Sequence, residues 1–125
     1  MICVDSDIII DHLRGRGPGG AIFEEIVRTE NPFTTTLNHF ELFCGARSDK
    51  EIDTINKCLL GFTVLPFNQE ASLEAARVYR ELKKRGVLIG IRDIMLAGIA
   101  IINKLKLATN NKKDFKEIKG LTLLL

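Results

Sequence analysis

Residues 1–15 read MICVDSDIIIDHLRG, and this stretch decides the fold. Ile2, Cys3 and Val4 form an apolar run that breaks at Asp5, the pattern of a short buried strand. Ile8, Ile9, Ile10 and Leu13 then predict a helix, and Gly15, Gly17, Pro18, Gly19 and Gly20 predict a loop after it. Outward from this strand–helix unit, helical spacing covers 21–29 with Ile22, Phe23, Ile26 and Val27, until Asn31 and Pro32 stop it. Residues 33–36, rich in threonine, predict strand two. Further helices are predicted over 37–46 and from a cap at Asp49 through Ile52, Ile55, Leu59 and Leu60. Strand three falls within 62–67 around Val64 and Leu65. A long helix over 70–85 follows, with Leu73, Ala76, Val78, Tyr79 and Leu82 as its apolar positions. A buried helix over 93–104, a strand at Leu107 and Ala108, and a last strand over 121–125 complete the chain. Strands alternating with helices imply an α/β fold: a mainly parallel sheet of four or five strands, covered by helices on both faces.

The sequence has 125 residues, 46% apolar and 27% charged, which suits one domain over residues 1–125 and excludes two. A chain of this length buries roughly two-thirds of its unfolded surface, enough for a core without disulfides. Cys3, Cys44 and Cys58 are odd in number and lack zinc-ribbon spacing, so a reduced cytoplasm is the expected home. No basic start with a long apolar segment marks a secretory signal. The longest uncharged apolar run, from Ile94 to Ile102, is nine residues, about half of a membrane span, so no membrane association is expected.

The net charge of +2 hides an asymmetry. Residues 1–82 carry 8 basic and 13 acidic groups, a balance of −5, whereas residues 83–119 carry 10 basic groups against Asp93, Asp114 and Glu117, a balance of +7. Such a division fits an anionic partner or a merely solvated face.

In an open parallel sheet, ligands bind beyond the carboxyl ends of the strands, so polar residues just after them share one rim. Asp5 ends strand one, Glu41 lies one turn into the segment after strand two, and Asp93 begins the helix leading to strand four. Thr109, Asn110, Asn111 and Asp114 follow that strand. Each acid also has a plain reading: Asp93 as an N-cap, Asp5 or Asp7 as the cap of the first helix. Glu41 stands among Leu37, Phe40, Leu42, Phe43 and Cys44, where burial of an unpaired carboxylate is costly. Arg92 and Arg14 are candidate partners. Carboxylates within about 5 Å of each other cost on the order of 3 kcal/mol per pair at an effective dielectric near 20. Mg²⁺ or Mn²⁺, with oxygen ligands, waters and phosphate oxygens, is the natural counter-charge. The chemistry that follows is attack of a metal-activated water on a phosphodiester. Neutralising Asp5 or Asp93 is then expected to leave the fold intact or more stable.

The segments ICVDSDIIIDHLRG, TTTLNHFELFCGA, VLPFNQEASLEAARVYRELKKRGVLIGIRDIMLAGIA and LATNNKKDFKEIKGL together resemble the PIN domain, and within it the VapC-type toxins of prokaryotic toxin–antitoxin pairs. The resemblance implies a three-layer α/β/α sandwich and a Mg²⁺- or Mn²⁺-dependent endoribonuclease, a homodimer held inactive by a cognate antitoxin. The family's three central acids correspond to Asp5, Glu41 and Asp93. A fourth acidic position falls where this chain has Asn111, with Asp114 three residues on, which leaves Asn111 or Asp114 for that place, and one ion or two, as open alternatives. Asp5 and Asp93 would be direct ligands, Glu41 a third ligand or the group orienting water, and Asp7, Thr109 and Asn111 supports.

Lys112, Lys113, Lys116 and the cluster Lys83, Lys84, Arg85 would meet RNA phosphates, or else serve solubility. His12 and His39 lack the company of a triad or zinc site, and Phe33, Phe40, Phe43, Phe62 and Phe67 are expected in the core. Two other readings stay open. One is a PIN-fold module that binds RNA or protein without cutting; the other is a haloacid-dehalogenase-like phosphatase using Asp5 and Asp7, which lacks the glycine usual after that motif.

Overall fold

A computed structural model describes residues 1–29 and 31–124. The elements run in the order β1 (Ile2–Val4), α1 (Ser6–Arg14), α2 (Gly19–Thr29), β2 (Phe33–Thr35), α3 (Thr36–Cys44), α4 (Asp49–Leu59), β3 (Thr63–Leu65), α5 (Gln69–Lys84), α6 (Ile91–Ile102), β4 (Lys106–Ala108), α7 (Lys112–Phe115) and β5 (Thr122–Leu123). The strands form one sheet in the order β3-β2-β1-β4-β5, and every pairing is parallel. The expected mainly parallel sheet is therefore wholly parallel, with five strands. Leu125, assigned to the last strand from sequence, lies outside the described residues.

Alternation along the strands builds two cores. Cys3 of β1 and Leu107 of β4 face one side, packed with Ala75, Val78 and Leu82 of α5 and Ile94, Leu96 and Ala97 of α6. Val4 and Ala108 face the other, packed with Ile8 and Ile9 of α1, Phe23 and Ile26 of α2, Leu42 of α3, and Ile55 and Leu59 of α4. The result is a three-layer α/β/α sandwich. The cysteines are free thiols. No described helix is long and apolar enough to cross a membrane.

Several boundaries move for identifiable reasons. Thr35 ends β2 because its hydroxyl accepts from the Asn38 N–H and caps α3. Ser48, rather than Asp49, caps α4. Gly19 and Gly20 are helical rather than a loop, and residue 19 is glycine where α1 and α2 cross so closely that a Cβ would lie 2.8 Å from Ile8 Cα. Of the apolar positions expected on α5, Leu73, Ala76 and Tyr79 are exposed; the buried stripe is Ala71, Ala75, Val78 and Leu82. Phe40, expected in the core, is 69% exposed, and Leu60, at the end of α4, is 84% exposed. The short helix α7 has no counterpart in the sequence reading.

Candidate active site

The site begins where β1 ends. Asp5 is extended (φ −74°, ψ 157°) and caps α1, its Oδ1 accepting from the Ser6 N–H at 2.8 Å. The residue is therefore both a cap and a member of the cluster, which merges the two readings its position allows. Asp5 is only 3% exposed, and each of its oxygens is satisfied. Oδ1 also accepts from Asn38 Nδ2 at 2.9 Å and Arg92 Nη2 at 2.6 Å, while Oδ2 accepts from the Thr109 hydroxyl at 2.8 Å. A buried carboxylate is tolerable only in such company.

Glu41 reaches the same place from α3. It accepts from the Ser6 hydroxyl at 2.8 Å and from Arg92 Nε at 3.1 Å to both oxygens, with a further bond from Arg92 Nη2. Its side chain is 38% exposed, and Phe40 and Cys44 beside it face solvent. The apolar burial expected from its neighbours is thus absent on this side, although Leu42 is buried and Leu37 and Phe43 pack partly against the cores. Asp93 stands in the first turn of α6 and is no cap; that position belongs to Gly90, without a side-chain bond. Asp93 Oδ1 accepts from Arg92 Nη1 at 2.8 Å and its Oδ2 from Asn111 Nδ2 at 3.2 Å. Burial pushes the Asp93 carboxyl up against the opposing pull of Arg92, with the charges of Asp5 and Asp114 adding to the rise.

Three acids from three elements therefore meet on one guanidinium. Arg92, 31% exposed, keeps its charge more firmly than usual: burial opposes it, but the bonds from Glu41, Asp5 and Asp93 outweigh burial. Asn111 also donates to Asp114 Oδ2 at 3.3 Å, so it ties Asp93 to Asp114 across the position where the resemblance expected an acid. Thr109 accepts from the Asn111 N–H at 3.1 Å and lies 3.3 Å from Asp7 Oδ2. Asp7 Oδ2 accepts from the Asn110 N–H at 3.1 Å, whereas its Oδ1 is buried without a partner. Burial first, then the charge of Asp5, pushes the Asp7 carboxyl up to about 6.

Lys112, Lys113 and Lys116 are exposed on and just after α7, next to Asn111. In the second basic cluster, Arg85 is taken by Glu81 at 2.8 Å and by the Glu117 carboxylate at 3.6 Å. His12 stacks on Phe23 and His39 packs against Phe43, away from any nucleophile role.

Sequence reasoning missed Ser6 and Asn38. Asn38 is fully buried, donates through Nδ2 to Asp5 and Ser6, and accepts from the Thr35 hydroxyl at 2.7 Å. It lies one helical turn before Glu41, so the shared face was readable from the spacing. Asn38→Ala strips a buried carboxylate and two hydroxyls of partners. It is expected to cost about 2 kcal/mol and to lower Tm by roughly 6–10 °C. A thermal melt within about 2 °C of wild type contradicts this reading of the network.

Asp7 supplies a pH test. A carboxyl raised in the folded state contributes stability below its ordinary range near 4 that is lost as pH rises through about 6. Asp7→Asn removes that loss. In melts with chelator the variant is expected to gain about 1 kcal/mol over wild type at pH 7, allowing for solvent screening, and nothing at pH 4. An equal gain at both pH values contradicts the raised carboxyl.

With this geometry in place, the likeness to known proteins is informative. Residues 2–121 match the family model of the PIN domain. The chain is 32% identical to Ribonuclease VapC of Rickettsia bellii over 98% of this chain and 94% of that one. It is 30% identical to Ribonuclease VapC1 of Methanocaldococcus jannaschii over 94% of this chain and 81% of that one. The structure of VapBC-1 from nontypeable Haemophilus influenzae superposes with a TM-score of 0.83 at 27% identity, covering 99% of this chain and 97% of that chain. With a match this broad, the phosphatase reading of Asp5 and Asp7 is not needed, and this chain belongs to the PIN-domain family, alongside the VapC proteins.

Proposed function

We propose that this chain is a divalent-cation-dependent endoribonuclease, the toxin of a toxin–antitoxin pair, acting in the cytoplasm. One observation carries the reading: Asp5, Glu41 and Asp93 arrive from β1, α3 and α6 at a single point on the carboxyl rim of the sheet. The substrate class follows from the relatives named ribonuclease. The partner class follows from the VapC resemblance and the VapBC-1 assembly, and a homodimer belongs to the same proposal.

The donor set suits a hard cation, being oxygen only, with carboxylates of Asp5, Glu41 and Asp93 and the orphaned Asp7 Oδ1 nearby. As the side chains stand, no three acids among the described residues are grouped to hold an ion, since the three cluster acids bond to the Arg92 guanidinium. Mg²⁺ or Mn²⁺, when bound, supplies Lewis-acid chemistry, neutralising phosphate charge and acidifying water. Asp5 and Asp93 are the residues to hold it, with their oxygens fixed by Thr109, Asn38 and Asn111. Glu41, the most open of the three, orients the attacking water and takes its proton. Lys112, Lys113 and Lys116 hold the flanking phosphates without reading bases.

The test is cleavage of a mixed-sequence, end-labelled RNA by the chain freed of antitoxin, with Mn²⁺ or Mg²⁺ and with chelator. Cleavage in the cation and none in chelator is expected; cleavage that persists in chelator contradicts the cation. A PIN-fold module that binds without cutting is the second reading, favoured by the guanidinium lodged among the acids.

A further inference from the structure

Arg92 uses its whole donor fork on the acid cluster. Nε faces both oxygens of Glu41 at 3.1 Å, Nη1 meets Asp93 at 2.8 Å, and Nη2 meets Asp5 at 2.6 Å and also Glu41. Asp5 Oδ1 and Glu41 Oε1 are among the oxygens an ion would take. A guanidinium and a divalent ion compete for the same oxygens, because two cations at ligand distance from shared oxygens repel strongly. Three carboxylates around one monovalent cation also leave the cluster net negative, an invitation to a cation of higher charge. The arginine sits at the mouth, 31% exposed, on a long side chain rooted in the first turn of α6. An arginine side chain reaches solvent by changes of rotamer about its own torsions.

From this arrangement we propose that Arg92 is a built-in competitor of the metal: it neutralises Asp5, Glu41 and Asp93 in the ion-free protein, leaves the cluster when a divalent ion enters, and so sets the ion concentration at which the site fills. The inference rests on the cation-dependent reading above. It assigns Arg92 a gating role distinct from substrate contact: the arginine preserves the empty site against carboxylate repulsion and raises the threshold for filling it. A lysine, with one ammonium in place of a planar fork, cannot span three acids and competes less well.

The experiment is Mn²⁺ binding, followed by electron paramagnetic resonance and calorimetry, on the wild-type chain, Arg92→Gln and Arg92→Lys, with melts of each in chelator. Arg92→Gln is expected to bind Mn²⁺ at least about tenfold more tightly than wild type. Its Tm in chelator falls, and Mn²⁺ raises that Tm more than it raises wild type's; Arg92→Lys falls between on both scales. Should Arg92→Gln not fold without ion, Arg92→Lys carries the comparison alone. Equal or weaker Mn²⁺ affinity in the variants overturns the gating role while leaving the metal reading standing. No Mn²⁺ binding by any of the three at millimolar concentration overturns both.

Discussion

Asp93→Asn protein is expected to lose RNA cleavage by about 10³-fold or more, while its Tm in chelator stays level or rises slightly. The carboxylate is half-buried and its charge is disfavoured by burial more than Arg92 favours it, so a neutral amide of the same shape suits the folded state. The amide oxygen can still accept from Arg92. What it cannot supply is the negative charge that a cation or a developing positive centre requires. Asp5→Asn parts from the expectation that neutralising either acid spares the fold. Asp5 accepts from Ser6, Asn38, Arg92 and Thr109, and an amide would turn a donor toward donors. The Asp5 variant is therefore expected to be both inactive and less stable. Cleavage assays and melts on the two variants check this, and an Asp93→Asn protein within about tenfold of wild-type cleavage contradicts the role given to Asp93.

Gly98→Val is expected to destabilise the protein by about 3–5 kcal/mol, the largest effect on stability foreseen here. Gly98 lies where α6 crosses α5. A Cβ there would stand 2.7 Å from the Ala71 carbonyl oxygen and 3.0 Å from both the Cβ and the backbone nitrogen of Ala75. Those neighbours are backbone or the root of a side chain, so relief requires the helices to separate, and separation opens the core around Val78, Leu82 and Leu96. Because α6 also carries Arg92 and Asp93, any folded fraction would hold the site out of place. Denaturant unfolding measures the loss, and a cost below about 1 kcal/mol contradicts the tight crossing.

The sequence displayed the scaffold where hydrophobic pattern and acid coincided. Val4 before Asp5 and Ala108 before Thr109 each mark a strand end on the rim, and both fall there in the structure, whereas β2 stops at Thr35, one residue short of its threonine run. On α5 the expected Val78 and Leu82 are buried, but the rest of the core face is made by the small Ala71 and Ala75, while the larger Leu73 and Tyr79 face solvent. Small residues were required by Gly98 on the neighbouring helix, which local pattern does not reveal. The same holds for Gly19, whose closeness to Ile8 is a property of the α1–α2 crossing. Within the site, the acids were legible from their places after strands. Arg92 was legible as a candidate partner of Glu41, but not as the cation shared by all three acids, since the Arg92–Asp5 pair joins residues 87 positions apart. Asn38 was hidden by its apolar neighbours, though its spacing from Glu41 held the clue.

In the proposed reaction the acid cluster drives water against an RNA phosphodiester. Its most direct test is mass spectrometry of RNA fragments cut in ¹⁸O-labelled water with Mn²⁺ present. The predicted result is one solvent oxygen on the new terminal phosphate, with no cyclic phosphate. Fragments ending in an unlabelled 2′,3′-cyclic phosphate would mean that the RNA's own hydroxyl is the nucleophile, and would contradict the account.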